Sequence, residues 1–187
     1  MSIKILSLFL FLLVFFFTTV SHADERETVQ HAYHLVSNWQ PKEALHILKK
    51  QYGDSDSIDS LSLDAHAIFA WTYFWLGDYQ HANLHIEYLQ SKESIPELLE
   101  PLAHTLTITK EYQEEKSDHF IYRFHAGKDR VLVPFAKEVL EKSYESFRVS
   151  LGYEPDEPIR VEFYQSIEEL ARITPLTLKE ILTTGTI

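Results

Sequence analysis

The sequence predicts an α+β protein: a region of helical hairpins, followed by a strand–helix–strand–helix segment. Three observations carry this. Apolar residues recur at spacings of three and four across residues 25–116. They alternate at a spacing of two in residues 119–125 and again in 159–164. A helical period returns between those two runs.

The first segment, residues 1–23, reads as a secretory signal. Lys4 is its only charge, an apolar run from Ile5 to Val20 follows, and Ser21-His22-Ala23 sets small residues before a cut between Ala23 and Asp24. An uncleaved anchor is the alternative, but a spanning helix needs about 20 apolar residues and this run is shorter. The expected location is therefore extracytoplasmic, periplasmic or secreted, with a membrane association only if the segment stays attached. No cysteine follows the run, which excludes a lipid-modified N-terminal cysteine.

The chain holds no cysteine at all, so neither disulfides nor a thiolate metal site nor a Cys nucleophile is available. Loss of Lys4 with the signal takes the formal charge from -11 to -12. That acidity argues against nucleic acid as a partner, because phosphate binding needs clustered Lys and Arg. About 164 residues would remain, enough for one or two small domains.

In residues 24–116, Val29, Ala32, Tyr33 and Val36 mark a first helix. Ser37-Asn38-Trp39-Gln40 interrupts it, and Pro41 suits the first turn of the next helix, whose face is Ala44, Leu45, Ile47 and Leu48. A Gly, Ser and Asp loop follows Tyr52. Ala67, Ala70, Trp71, Phe74 and Trp75 mark a third helix, Gly77-Asp78 turns the chain, and Tyr79, Ala82, Ile86 and Leu89 mark its return. Ala70 and Ala82 are small enough to let the two helices approach closely. A further helix is expected beyond Pro96, through Leu98, Leu102, Leu106 and Ile108.

Ala70-x-x-Tyr73, Gly77-x-Tyr79-x-x-Ala82, Ile86 and Leu89 together resemble a tetratricopeptide repeat. The earlier pair, with Trp39 and Ala44, fits the pattern loosely. Such repeats share a core, and about three are needed to stand alone. The resemblance implies either a surface that docks a protein or peptide, or a helical spacer. The spacer carries the greater weight, since repeat architecture alone names no ligand.

Residues 117–187 read differently. Phe120, Tyr122 and Phe124 share one side of a strand. Asp129 is expected to cap a helix with apolar face Val133, Ala136, Leu140, Tyr144 and Phe147, ended by Gly152. Pro155 and Pro158 hold a connector to a second strand, 159–164. Ser166 and Glu169 form a capping box for a short helix, and Thr183 to Ile187 has strand-like composition.

The strand 120–124, Leu151-Gly152-Tyr153-Glu154-Pro155, the strand 158–164, the helix from Ser166 and Gly185-Thr186-Ile187 resemble the opening of a gluzincin-type, peptidase MA-like zinc metallopeptidase domain. This covers roughly the last seventy residues, a length that only part of a catalytic domain would occupy. The family's His-Glu-x-x-His helix binds zinc through two His one turn apart and activates water with its Glu. No His-Glu pair occurs in this sequence. The resemblance therefore implies an N-terminal fragment cut before its zinc helix: no catalytic residue, no metal ligand and no cofactor in this chain, and zinc only in a full-length protein. The alternative is a non-enzymatic extracytoplasmic scaffold.

His81 and His85 lie one helical turn apart, and His31 and His34 are close. Two ligands are fewer than the three or four of a tight metal site, and His81 lies in the repeat-like helix, where such positions commonly face solvent. Asp, Glu and Ser are too dispersed in sequence to suggest a triad or a carboxylate pair.

Overall fold

The computed structural model describes residues 24–53 and 60–174. The signal segment 1–23, part of the loop after Tyr52 and the strand-like tail 183–187 lie outside the described residues. The architecture is α+β, with seven α-helices and one three-stranded sheet among the described residues. The chain divides into two compact units, residues 1–99 and 100–187.

The first unit is helical. Helix α1 occupies residues 24–37 and buries Ala32 and Val36. It stops because Trp39 takes a left-handed φ of 60°, a conformation a helix cannot continue through. Pro41 opens α2 (Pro41–Tyr52), where its missing N–H costs nothing. Ala44 and Leu48 are that helix's buried stripe.

Ser62 caps α3 (Leu63–Trp75), accepting the Ala65 N–H at 3.3 Å. Seven of its residues are buried: Ala65, His66, Ile68, Phe69, Ala70, Thr72 and Tyr73. They run around most of its circumference, so α3 is the centre of the unit. Gly77, at φ 73°, reverses the chain. Asp78 then caps α4 (Tyr79–Ser91) by accepting the His81 N–H at 3.2 Å. Ala70 and Ala82 are both fully buried. A short 3-10 turn, Glu97–Leu99, ends the unit.

The second unit begins with α5 (Glu100–Ile108). Residues 112–116, expected to continue the helical region, instead form strand β1 (Tyr112–Lys116), so the helical region ends earlier than the sequence suggests. Tyr-Gln-Glu-Glu-Lys has little strand signature of its own. It is extended because β2 (Phe120–His125) pairs with it antiparallel, Tyr112 opposite His125 and Lys116 opposite Ile121. This is tertiary pairing overriding local preference.

The expected cap at Asp129 is also corrected. Lys128–Leu132 is a 3-10 turn begun by Gly127, and Asp129 is buried inside it. Helix α6 (Val133–Leu151) starts four residues later, because Pro134 fits only its first turn. Gly152 ends it at φ 62°, ψ 27°, donating to the Arg148 carbonyl at 3.0 Å.

Strand β3 (Ile159–Phe163) then pairs parallel to β2, with Phe120 opposite Ile159 and Phe124 opposite Phe163. The sheet order is β1-β2-β3. Arg123 faces Glu162 across this pairing and bonds it at 2.8 Å, both side chains largely buried. Arg123 also donates to the Thr109 carbonyl at 3.3 Å.

Phe120, Tyr122 and Phe124 pack with Val133 and Tyr144 of α6 as the core, flanked by Ala136, Leu140, Val161 and Phe163. Phe147, expected on this inner face, is 62 % exposed and lines an apolar cleft with Leu151 and Tyr153. Helix α7 (Ile167–Ile173) is capped by Ser166, which accepts the Glu169 N–H at 3.2 Å. The Glu169 carboxylate returns to the Gln165 N–H at 2.9 Å, one residue before the expected Ser166 N–H.

Two substitutions test this packing by urea denaturation. Gly152→Ala meets no neighbouring atom, so its cost is the left-handed backbone alone, about 1 kcal/mol. Ala82→Leu forces α3 and α4 apart and lowers stability by about 1–3 kcal/mol.

Candidate functional site

A groove of ≈ 600 Å³ lies between α1 and α3, with Pro96, Leu98 and Leu99 also lining it. Its walls are apolar. Val29 and Tyr33 come from α1, one turn apart, and Ala67, Ile68 and Trp71 come from α3. The Tyr33 and Trp71 rings meet across it, with centroids 5.5 Å apart. Tyr33 and Leu98 stay open to solvent, at 41 % and 59 %. Polar groups line the rim: Glu25, Arg26 and Gln30 on one side, Ser62 and Asp64 on the other. An apolar trough with a sparse polar rim is what a peptide or small ligand needs for burial and orientation.

The residues singled out in the sequence lie behind this groove. Ala70, Tyr73 and Ala82 are buried between α3 and α4, Gly77 makes the turn, and Tyr79 stacks on Phe74 at 5.1 Å. Of the proposed cleavage pair, Ala23 lies outside the described residues and Asp24 is exposed at the start of α1.

Behind the groove, α3 and α4 meet through a histidine pair that the sequence reading missed. His66 and His85 are both fully buried, with Nδ1 atoms 2.9 Å apart. One ring donates and the other accepts, so a single hydrogen satisfies both. Tyr88 stacks on His66 at 3.9 Å, and Phe69 stacks on His85 at 5.0 Å. One helical turn would let His85 share a face with His81, which was expected to meet solvent. Only His81 does, held by Asp78 at 2.6 Å. Burial, then the neighbouring His66 and His81, lower the His85 pKa from 6.5 to about 4. His31 and His34 are exposed. Among the described residues, no three His, Cys, Asp or Glu side chains converge to hold a metal.

In the second unit, Ser117, His119 and Glu141 come together. The His119 ring donates to Glu141 at 2.7 Å, its backbone N–H donates to the same carboxylate at 3.0 Å, and Ser117 donates its hydroxyl there too. Burial raises the Glu141 pKa, but these donors outweigh it and bring it to about 2. The residue types are those of a hydrolytic triad, but the bonding is not. A nucleophilic Ser must hand its proton to the His, whereas this hydroxyl bonds the carboxylate. The Tyr144 ring also stacks on His119 at 3.8 Å. The cluster is a clasp that ties the β1–β2 turn to the middle of α6. Lys137 adds a second tie, to Glu115 at 2.8 Å.

Comparison with protein-family models, with curated proteins and with solved structures finds no match to this chain. Among the described residues, no helix is long and apolar enough to cross a membrane.

The histidine pair gives the helical unit an acid sensitivity. The folded chain holds His85 neutral to about pH 4, while the unfolded chain protonates near 6.5. The stability this contributes is complete above pH 6.5 and is lost as pH falls toward 4, about 3 kcal/mol in all. Unfolding midpoints measured across that window should fall steeply, and His85→Gln should flatten the slope. In the second unit, Glu141→Gln removes a charged acceptor from three donors and should cost about 1–2 kcal/mol in the same assay.

Proposed function

We propose that this is an extracytoplasmic docking protein whose helical unit binds an extended peptide segment of a partner protein. The groove between α1 and α3 carries this reading: its ≈ 600 Å³ trough presents Tyr33, Trp71 and Leu98 to a ligand. α1 and α3 are the first helices of two successive hairpins, and the groove runs between them. The aromatic walls suit an apolar or aromatic side chain of the peptide. The rim carries Glu25 and Asp64 against Arg26, and the chain as a whole is acidic. Both favour a segment with a basic residue beside the apolar one. The signal-like residues 1–23 support export.

Peptides selected from a random library on the full chain test this. The selected set should be enriched in apolar residues next to Lys or Arg, and binding should change Trp71 fluorescence. Tyr33→Ala and Trp71→Ala should each weaken binding about tenfold or more, whereas Gln80→Ala on α4 should not. Peptides that bind equally well to all three variants defeat the proposal.

A second reading is that the chain is the N-terminal part of an exported zinc peptidase. It is favoured by one observation, the β2–α6–β3 order with parallel strands, which is the opening the gluzincin resemblance calls for. Reading the gene past the codon for Ile187 decides it. A His-Glu-x-x-His within the next few dozen codons, with a distal Glu and chelator-sensitive caseinolysis by the product, supports this reading. An immediate stop codon in an intact gene defeats it.

A further inference from the structure

We propose that the buried pair of His66 and His85 is an acid-operated gate on the groove: protonation parts α3 from α4 and releases the peptide that the groove holds. The release rests on the docking reading above, whereas the parting of the helices does not. Both rings are fully buried between the two helices, and their Nδ1 atoms lie 2.9 Å apart. That bond lasts only while one of the two facing nitrogens is bare. A proton on both leaves two donors pointing at each other and sets charge inside the seam. The walls there are rings: Phe69 stacks on His85 at 5.0 Å, Tyr73 stacks on it at 5.9 Å, and Tyr88 stacks on His66 at 3.9 Å. Fully buried rings gain water around that charge only by separation of the helices.

The seam and the groove are two sides of α3. Ala67 and Ile68 follow His66 directly, and Trp71 is one turn beyond Ala67; these three are the groove wall that α3 supplies. A packed helix shifts as a unit, so loss of its packing on α4 moves the wall as well. The Tyr33–Trp71 contact, 5.5 Å between centroids, spans the groove and depends on that wall. A peptide that fits only the closed arrangement therefore competes with protons, and by linkage it also resists the acid transition.

The ionisable groups around the pair come from four helices. On α4, His81 is held at the surface by Asp78, and a charge on it opposes a charge on His85. Tyr73 of α3, Tyr88 of α4 and Tyr52 of α2, whose ring meets Phe69 at 5.9 Å, are phenols and take up no proton in the acid range. Burial, then Glu25 and Asp24 of α1 and Asp64 of α3, push the Tyr52 hydroxyl well above its ordinary value. Burial, then His66 and His81, hold His85 of the closed form neutral to about pH 4, whereas a wetted ring protonates near 6.5. Between pH 7 and pH 5 the closed form thus loses about twentyfold against the parted one. That span lies above the ordinary carboxylate range, so the acidic rim of the groove does not imitate the effect.

The absence of cysteine lets a single thiol report on the seam. Ala82→Cys, at a fully buried position of α4, is labelled with dithiodipyridine, which reacts with thiols in acid, and the rate is divided by that of free glutathione at each pH. In the full chain without peptide, labelling should speed up about tenfold or more from pH 7 to pH 5, with the helical circular dichroism kept. With His66→Gln and His85→Gln together, which exchange the pair for two amides, labelling should not change with pH. Ala70→Cys serves as the reporter if Ala82→Cys fails to fold, and His85→Gln alone if the double substitution does. A peptide selected on the groove should lose about tenfold or more in affinity over the same span and keep its affinity in the histidine variant. Thiol protection that is equal at the two pH values, or labelling that comes with loss of helix, overturns the gate. So does a peptide bound equally at both by a chain whose seam opens. A chain that binds no peptide at any pH refutes the docking reading, and histidine-dependent labelling in acid then still upholds the parting of α3 from α4.

Discussion

A helix that is apolar on most sides must have neighbours on most sides, and α3 imposes that requirement on the helical unit. Its buried residues run from Ala65 to Tyr73 with only Ala67 and Trp71 part-exposed among them. One flank is closed by α4, and another packs on α2. Ala67 and Trp71, with the neighbouring Ile68, turn to the groove shared with α1. The groove and the histidine pair are thus two sides of one helix. The close approach that Ala70 and Ala82 allow is what brings His66 within hydrogen-bonding distance of His85. Two polar rings can be buried there because they satisfy each other.

The second unit follows a different rule, in which β2 is the shared element. It is buried on one face by α6 and paired on both edges. Its alternation therefore had to be strong, and Phe120, Tyr122 and Phe124 supply it. The register against β3 has a polar determinant as well. Arg123 and Glu162 are directly opposite and mostly sheltered from water. A slip by one residue would leave two charges facing apolar partners, which is far costlier than losing an exposed pair.

What could be read from the sequence was local. Pro41, Gly77, Gly152 and Ser166 announced helix ends because capping and left-handed turns depend on one residue and its near neighbours. Ala70 and Ala82 followed from helical spacing, whereas Tyr73 came only with the repeat resemblance; the spacing had placed Trp75 on the inner face, and it is 44 % exposed. The failures share a cause in contacts between distant residues. Strand β1 is made by its partner, and its own composition points elsewhere. Phe147 continues the period of α6, but a period cannot say which of its positions a neighbour covers. His66 has no spacing signature, since its partner is nineteen positions away. The groove is assembled from three separate segments: Val29 and Tyr33, Ala67 and Trp71, and Leu98 were each read as the apolar face of a helix, and spacing within one helix cannot say that they line one trough.

The clasp at Glu141 bears on how the second unit is built in time. Strands β1 and β2 are joined by three residues, and a hairpin of that kind closes in about 1–10 µs. Strand β3 must wait for the whole of α6 to cross the sheet, and parallel pairing over that distance pays a larger loop-closure entropy. Ser117 and His119 sit at the hairpin turn and Glu141 at the middle of α6. Their bonds anchor the crossing helix halfway along its path and shorten the loop that remains to be closed. The same three side chains that resemble an active site on paper thus form the hinge pin about which the sheet acquires its last strand.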